Sequence, residues 1–414
     1  MVGTNRYKLK LTWCLYCLAF INILLLSKNV AASDISVNGF FQGNYSGGLN
    51  ANPDGGDFKL ADERFQLKLA VKKEPFKFFI KTDTYLDNVV KKGDIDVREL
   101  YFDYVTQHWD SRVGRQIITW GVGDLIFIND VFPKNYNAFF SGYPMEYMKK
   151  GIDGVKIGLY PDFASLDVVV IPFFEPNSYP DPERFQMYDS VKRDEEKPVI
   201  SLKNTELAFR LYKNISGTDI SLYYYHGFYR QPSLSSDNQM TLIYPRLTTY
   251  GMSLQTMGLD GILSFEAGYY DSVDDRGGTD LMTPNSQTKF LAGYQKQLWE
   301  DFTAGLQYYC EYMNDYSEYE KTLVEGYPKE KQLKNLISVR LTQILLHQTL
   351  RLSFFSFWGI SDNDYLINPE IKYNFTDHIW AAVGANVFGG QKKWTQFGQF
   401  DKNDNVYVQL RYEF

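Results

Sequence analysis

From Ile35 to Phe414 the chain repeats one unit, a segment of about ten residues in which apolar and polar side chains alternate, followed by a turn. Side chains along a strand point alternately to opposite faces, so each segment acquires one greasy and one wet side. The final segment is the clearest, with Val406, Val408, Leu410, Tyr412 and Phe414 on one face and Tyr407, Gln409 and Arg411 on the other. Eighteen segments fit the pattern, with sixteen as the alternative count; they include 57–73, 75–86, 96–107, 110–119, 240–256 and 404–414. Tight connections such as Lys73-Glu74-Pro75, Pro161-Asp162-Phe163 and Thr376-Asp377 alternate with longer ones. That rhythm predicts antiparallel strands with both chain ends on the side of the tight turns.

A soluble sandwich also alternates, but it turns its polar residues outward and does not need a broad aromatic face. Here 17% of the residues are aromatic, with 32 Tyr and 30 Phe. Phe65, Leu67, Leu69 and Val71, then Phe76, Phe78 and Ile80, then Leu100, Phe102 and Tyr104 fall on one face. The expected fold is therefore all-β, a transmembrane antiparallel β-barrel over 34–414 whose apolar side meets lipid and whose closure leaves no unpaired backbone edge in hydrocarbon. Beyond the N-terminus no run approaches the roughly 20 apolar residues of a membrane-crossing helix, which excludes a bundle of such helices. With 43 basic against 50 acidic residues and a pI near 5.3, nucleic acid is not an expected partner.

Residues 1–33 read as a cleaved export signal. Arg6, Lys8 and Lys10 precede an apolar stretch from Leu11 to Leu26, and Val30-Ala31-Ala32-Ser33 offers small residues for cleavage. Cys14 and Cys17 lie in this leader, so only Cys310 would remain and no intrachain disulfide is expected.

Eighteen strands enclose more space than side chains fill, so the interior is expected to hold water and to serve as a passive channel for small hydrophilic solutes. On the inward parity, Arg64, Lys68 and Lys72 face Lys77 and Lys81 of the next strand, with Glu99 and Asp103 beyond them. Arg210 adds a further inward cation, and Arg340 with Arg351 is expected to form a second basic cluster. Thirteen basic and ten acidic residues share that parity, so the lumen is positive inside a chain of net charge −7. Charges lining a narrow aqueous path select the sign of the passing ion, and the expectation is a modest anion preference. The plainer alternative is that these charges are solvated and mutually paired.

The third long loop, Trp120 to Lys150, carries eight aromatic residues. A loop that apolar is expected to fold into the barrel and narrow it, with Trp120 at its root and Asp124, Asp130 and Lys134 among the charges lining the opening. Catalysis finds little footing in a chain with four histidines: His108, His347 and His378 fall in tight turns, and His226 on a strand. No cofactor or metal is expected. An alternative function is a barrel sheath that holds a multihaem cytochrome for transmembrane electron transfer, with the haem supplied by the partner because the chain has no Cys-x-x-Cys-His.

Val113-Gly114-Arg115-Gln116, then Trp120-Gly121, then Asp130 with Pro133, resembles the strand-to-third-loop signature of a bacterial outer-membrane porin family distantly similar to alginate-export channels. Ile171-Pro172-Phe173-Phe174-Glu175-Pro176, Glu206 with Ala208-Phe209-Arg210, and Tyr244-Pro245-Arg246 follow in the expected order. The resemblance implies a channel for small or anionic solutes in the cell outer membrane, with lipid and lipopolysaccharide around it. It also implies that Arg115 lines the pore or anchors the loop and that Trp120 is part of the loop hinge; separately, Phe414 closing the last strand resembles the terminal aromatic of bacterial outer-membrane barrels that the barrel-assembly machinery reads. Homo-oligomers and single barrels are equally compatible with the pattern.

Overall fold

The computed structural model describes residues 34–50, 57–189, 191–236 and 240–414; the expected signal at 1–33 lies outside them. Eighteen strands form one antiparallel sheet: β1 Asp34–Gly48, β2 Phe58–Lys73, β3 Phe76–Asp87, β4 Lys92–Val105, β5 Trp109–Gln116, β6 Ile152–Leu159, β7 Ser165–Phe173, β8 Glu206–Ile215, β9 Thr218–Phe228, β10 Arg246–Gly258, β11 Gly261–Ser272, β12 Gln287–Trp299, β13 Phe302–Met313, β14 Leu333–Leu345, β15 Leu350–Gly359, β16 Asp364–Asn374, β17 Ile379–Gly390 and β18 Asn405–Glu413. Each strand pairs with its neighbour in sequence, and β1 closes the cylinder by pairing with β18 from Phe40–Glu413 to Gly48–Asn405.

The alternation expected from sequence sets which side chains face out. Val37, Phe41, Val113, Leu306, Trp358, Val408 and Leu410 are exposed on the outer surface, while Gln42, Asn44, Gln66, Ser253 and Gln409, on the other parity, are buried inside. Two strands begin four or more residues away from the expected start. β4 starts at Lys92, four residues before 96. β10 starts at Arg246 rather than 240, because Thr241–Ile243 pairs instead with Asp194–Glu195 and Ser233–Leu234 in a small three-stranded sheet. β5 ends at Gln116 rather than at 119.

One register shift matters for the lumen. Lys81 pairs with Glu99 but Thr82 pairs with Val97, so Arg98 is the extra residue of a bulge between β3 and β4. Arg98 would stand on the lipid face by simple alternation. The bulge turns it inward, where it is 5% exposed and donates to the Glu146 carbonyl at 2.6 Å.

The water-filled interior expected from strand number is only part of the result. The third loop, residues 117–151, enters the barrel with its short helix α1, Tyr136–Ser141, and joins inward residues of the wall in one apolar cluster. Phe140 packs against Phe388 of β17 at 5.6 Å and Phe400 of the last loop at 4.7 Å. Asn386 and Asn405 donate to the Phe140 carbonyl at 3.2 and 3.3 Å, so the backbone carried into this core remains hydrogen-bonded. The physical reason is visible along the strands: Val169, Ile171, Leu291, Phe355, Phe357 and Phe388 sit at inward positions near the loop end, all under 9% exposed, and the loop covers them.

Candidate solute path

The loop crosses the lumen and is fastened to three parts of the wall. On β11, Glu266 is 1% exposed and accepts the backbone N–H groups of Val122, Gly123 and Asn129 at 2.9, 3.0 and 2.7 Å. Gly121 sits over that carboxylate with φ of +78°, and a Cβ there would fall 2.5 Å from Oε1, so both conformation and space require glycine. On β14, the guanidinium of Arg340 donates twice to the Asp124 carboxylate. On the far side, Glu146 accepts from Arg411 of β18 at 2.6 Å and lies 3.5 Å from Lys81 of β3. Trp120 is buried at the loop root, edge-on to Phe132 at 5.0 Å and 5.7 Å from Tyr223 of β9.

The register of β2 and β3 sets their lysines face to face. Lys68 stands opposite Lys81, and Lys72 opposite Lys77, in register across β2 and β3. Like charges directly opposite on one face destabilise a sheet, so these two pairs are placed against the local preference. Lys81 is relieved by Glu146, and Lys72 approaches Glu74 at 3.4 Å. Among the described residues, Lys68 and Lys77 have no ion-pair partner. Neighbouring cations are spent: Arg64 holds Asp62 and Asp83, each at 2.8 Å, and Arg112 holds Asp103 at 2.6 and 3.0 Å. Glu99 lies 3.4 Å from the Ile117 amide at the loop root. Arg210 donates to Ser221 at 3.2 Å and lies over the Tyr212 ring.

Several expectations are corrected. Arg115 pairs in register with Leu100 and shares the face of Val113, opposite to Arg112; it bonds Asp153 at 2.8 Å and does not line the lumen. Asp130 and Lys134 are buried, their side chains 2% and 3% exposed, and do not line an opening. The Lys134 ammonium donates to Asp130 and to the carbonyls of Asp130 and Phe132, which staples the base of the loop, and burial draws it down to about 8. Arg340 and Arg351 do not make a common cluster: Arg340 is bound to Asp124, and Arg351 lies 3.4 Å from Glu370 toward the tight turns. Arg98 and Arg230 donate to loop carbonyls, and Arg184, in the loop after β7, donates to Lys59 of β2 and Asp87 of β3; the alternation singles out none of them, Arg98 because nothing in the sequence marks the bulge.

The Glu146 carboxyl is raised by burial, but Arg411, Lys81 and Arg98 outweigh that and hold it below its ordinary value of 4.5. Its contribution to the loop contact is therefore full above pH 4.5 and is lost as the pH falls through the lower, folded-state value. Acidification through that lower value should release Arg411 and Lys81 to the lumen and shift ion selectivity toward anions. Glu146→Gln should show that shift already at pH 7 and lose its share of the acid response; reversal potentials at pH 7 and along a descending pH series would check both.

Solved structures share this architecture. Pseudomonas aeruginosa OccK2 (OpdF), solved in complex with glucuronate, superposes with a TM-score of 0.59 over 92% of this chain and 98% of its own, at 8% identity. P. aeruginosa OccD3 (OpdP) gives a TM-score of 0.56 at 11% identity, covering 92% and 91%. Acinetobacter baumannii OccAB1 gives 0.54 at 8%, covering 92% and 96%. No protein-family profile and no curated protein matches the sequence. The likeness is one of fold, and on that basis the chain has the closed 18-stranded barrel of bacterial outer-membrane porins, with its third loop folded inward.

Proposed function

We propose that the protein is an outer-membrane channel for passive diffusion of small hydrophilic solutes, with a modest preference for anions. The observation that supports the anion preference is the wall of β2 and β3, where two lysine pairs face each other in register and, among the described residues, Lys68 and Lys77 have no ion-pair partner. A positive wall of this kind beside an aqueous path concentrates anions and weakens the entry of cations. Hydroxylated carboxylates are a fitting solute class, and the OccK2 structure was solved with one, glucuronate.

The test is the reversal potential of reconstituted protein in a salt gradient. Wild type should prefer chloride over potassium, and joint neutralisation of Lys68, Lys77 and Lys81 to Gln should move the potential toward zero selectivity. Cation preference in wild type, or no shift in the triple variant, would refute the reading. The sheath for a haem protein needs an open bore, and the apolar cluster that the third loop builds across the lumen argues against it.

A further inference from the structure

Between the third loop and the tight-turn end of the barrel lies a cavity of about 300 Å³, against the wall of β10 to β14. Its lining differs in kind from the lysine wall. Gln255, Ser264, Gln295, Thr303, Ser338 and Thr342 present neutral amides and hydroxyls, and a single ion pair, Asp124 with Arg340, supplies the charge. A neutral lining of donors and acceptors suits a polyhydroxylated body, and a guanidinium fork suits one planar carboxylate.

The fork is already filled, and by the protein itself. Arg340 Nε and Nη2 both donate to the Asp124 carboxylate, the bidentate geometry that a solute carboxylate would adopt. The pair is open to exchange, since the Arg340 and Asp124 side chains are 36% and 41% exposed. Arg340 is fixed from behind by the Phe355 ring at 4.7 Å, and the Asp124 amide donates to Gln307 at 3.2 Å.

A second, independent observation concerns the backbone. Leu125, directly after Asp124, has φ of +59°, the left-handed region that a leucine avoids. Such a conformation persists only where its surroundings impose it. Here one side is held by Asp124 on Arg340 and Gln307, and Leu125 itself packs against the apolar cluster. Releasing Asp124 removes one of the two restraints.

We propose that Arg340 is a binding position for the carboxylate of the permeating solute, and that Asp124 occupies it as an internal stand-in until the solute displaces it. The solute's hydroxyls bond the neutral wall, its carboxylate takes the fork, and the freed Asp124 segment relaxes at Leu125. This rests on the anion-channel reading above and adds to it a site and an autoinhibitory contact.

The test uses full-length protein in planar bilayers, with each variant first shown to migrate as a folded barrel and to conduct chloride. Glucuronate added on the tight-turn side should produce current interruptions, and glucose at the same concentration should not. Asp124→Asn removes the competing charge and should make interruptions about tenfold more frequent. Leu125→Gly removes the backbone penalty that favours release, so interruptions should become about fivefold rarer. Arg340→Gln should abolish them while chloride still passes. A wild type that conducts without anion preference overturns the channel reading and this proposal with it. An anion-selective wild type whose interruptions are unchanged by Asp124→Asn, or survive Arg340→Gln, overturns this proposal alone.

Discussion

Replacing Glu266 by alanine is expected to raise single-channel conductance several-fold and to open the segment Trp120–Asn129 to protease. The carboxylate is 1% exposed and accepts three backbone N–H groups of that segment. Each donor left unsatisfied in a buried place costs about 1–3 kcal/mol, so the loop cannot keep its position against β11 once the acceptor is gone. Even the low end, about 3 kcal/mol for the three, displaces the loop equilibrium more than a hundredfold. Glutamine keeps one acceptor oxygen and sets a donor amide against the remaining N–H groups, so Glu266→Gln should fall between. Unchanged conductance and unchanged proteolysis in the alanine variant would show that the loop is held by its apolar contacts alone.

The largest loss of stability is expected from Arg230→Ala. Arg230 follows β9 and donates to Glu206 of β8 at 2.6 and 3.1 Å, to the Val131 carbonyl at 3.1 Å and to the Glu175 carbonyl at 3.0 Å. One side chain thus ties the third loop, the loop after β7 and the wall together. Glu206 is 0% exposed and, among the described residues, keeps only the Tyr225 hydroxyl, at 2.5 Å, when Arg230 is removed. A buried ion pair broken on one side typically costs about 3–5 kcal/mol, because the remaining charge has no solvent. The double variant Glu206→Gln with Arg230→Met leaves no stranded charge and should recover most of the loss. Thermal unfolding in detergent would rank the three proteins; a single variant as stable as wild type would mean that water reaches Glu206.

The barrel was legible because lipid imposes a period of two, and that period is written in residues such as Phe65, Leu67, Leu69 and Val71 whatever happens inside. The lysine wall was legible for the same reason, since Lys68 and Lys81 needed only parity and a tight turn to meet. What the alternation does not encode is where it is interrupted. Arg98 reads as a lipid-facing position and lies inside. Arg115 reads as part of a pore motif and lies on the opposite face from Arg112. Apolar inward residues such as Phe355 and Phe357 were a usable sign that something packs on the wall from within, because a solvated lumen has no use for them. Loop charges were the least legible: whether Asp130 lines an opening or is stapled by Lys134 and Lys149 depends on tertiary contacts that no spacing specifies.

The extra residue at Arg98 divides β4 into two stretches with opposite phase. On the distal stretch Asp94 and Asp96 share the inner face and Ile95 the outer, which holds only while the number of residues between them and the interruption stays the same. Gain or loss of a single residue there would exchange the two sets and set carboxylates against acyl chains, whereas gain or loss of two would merely lengthen or shorten the hairpin. Length variants of this hairpin that still insert and fold should therefore differ by even numbers of residues.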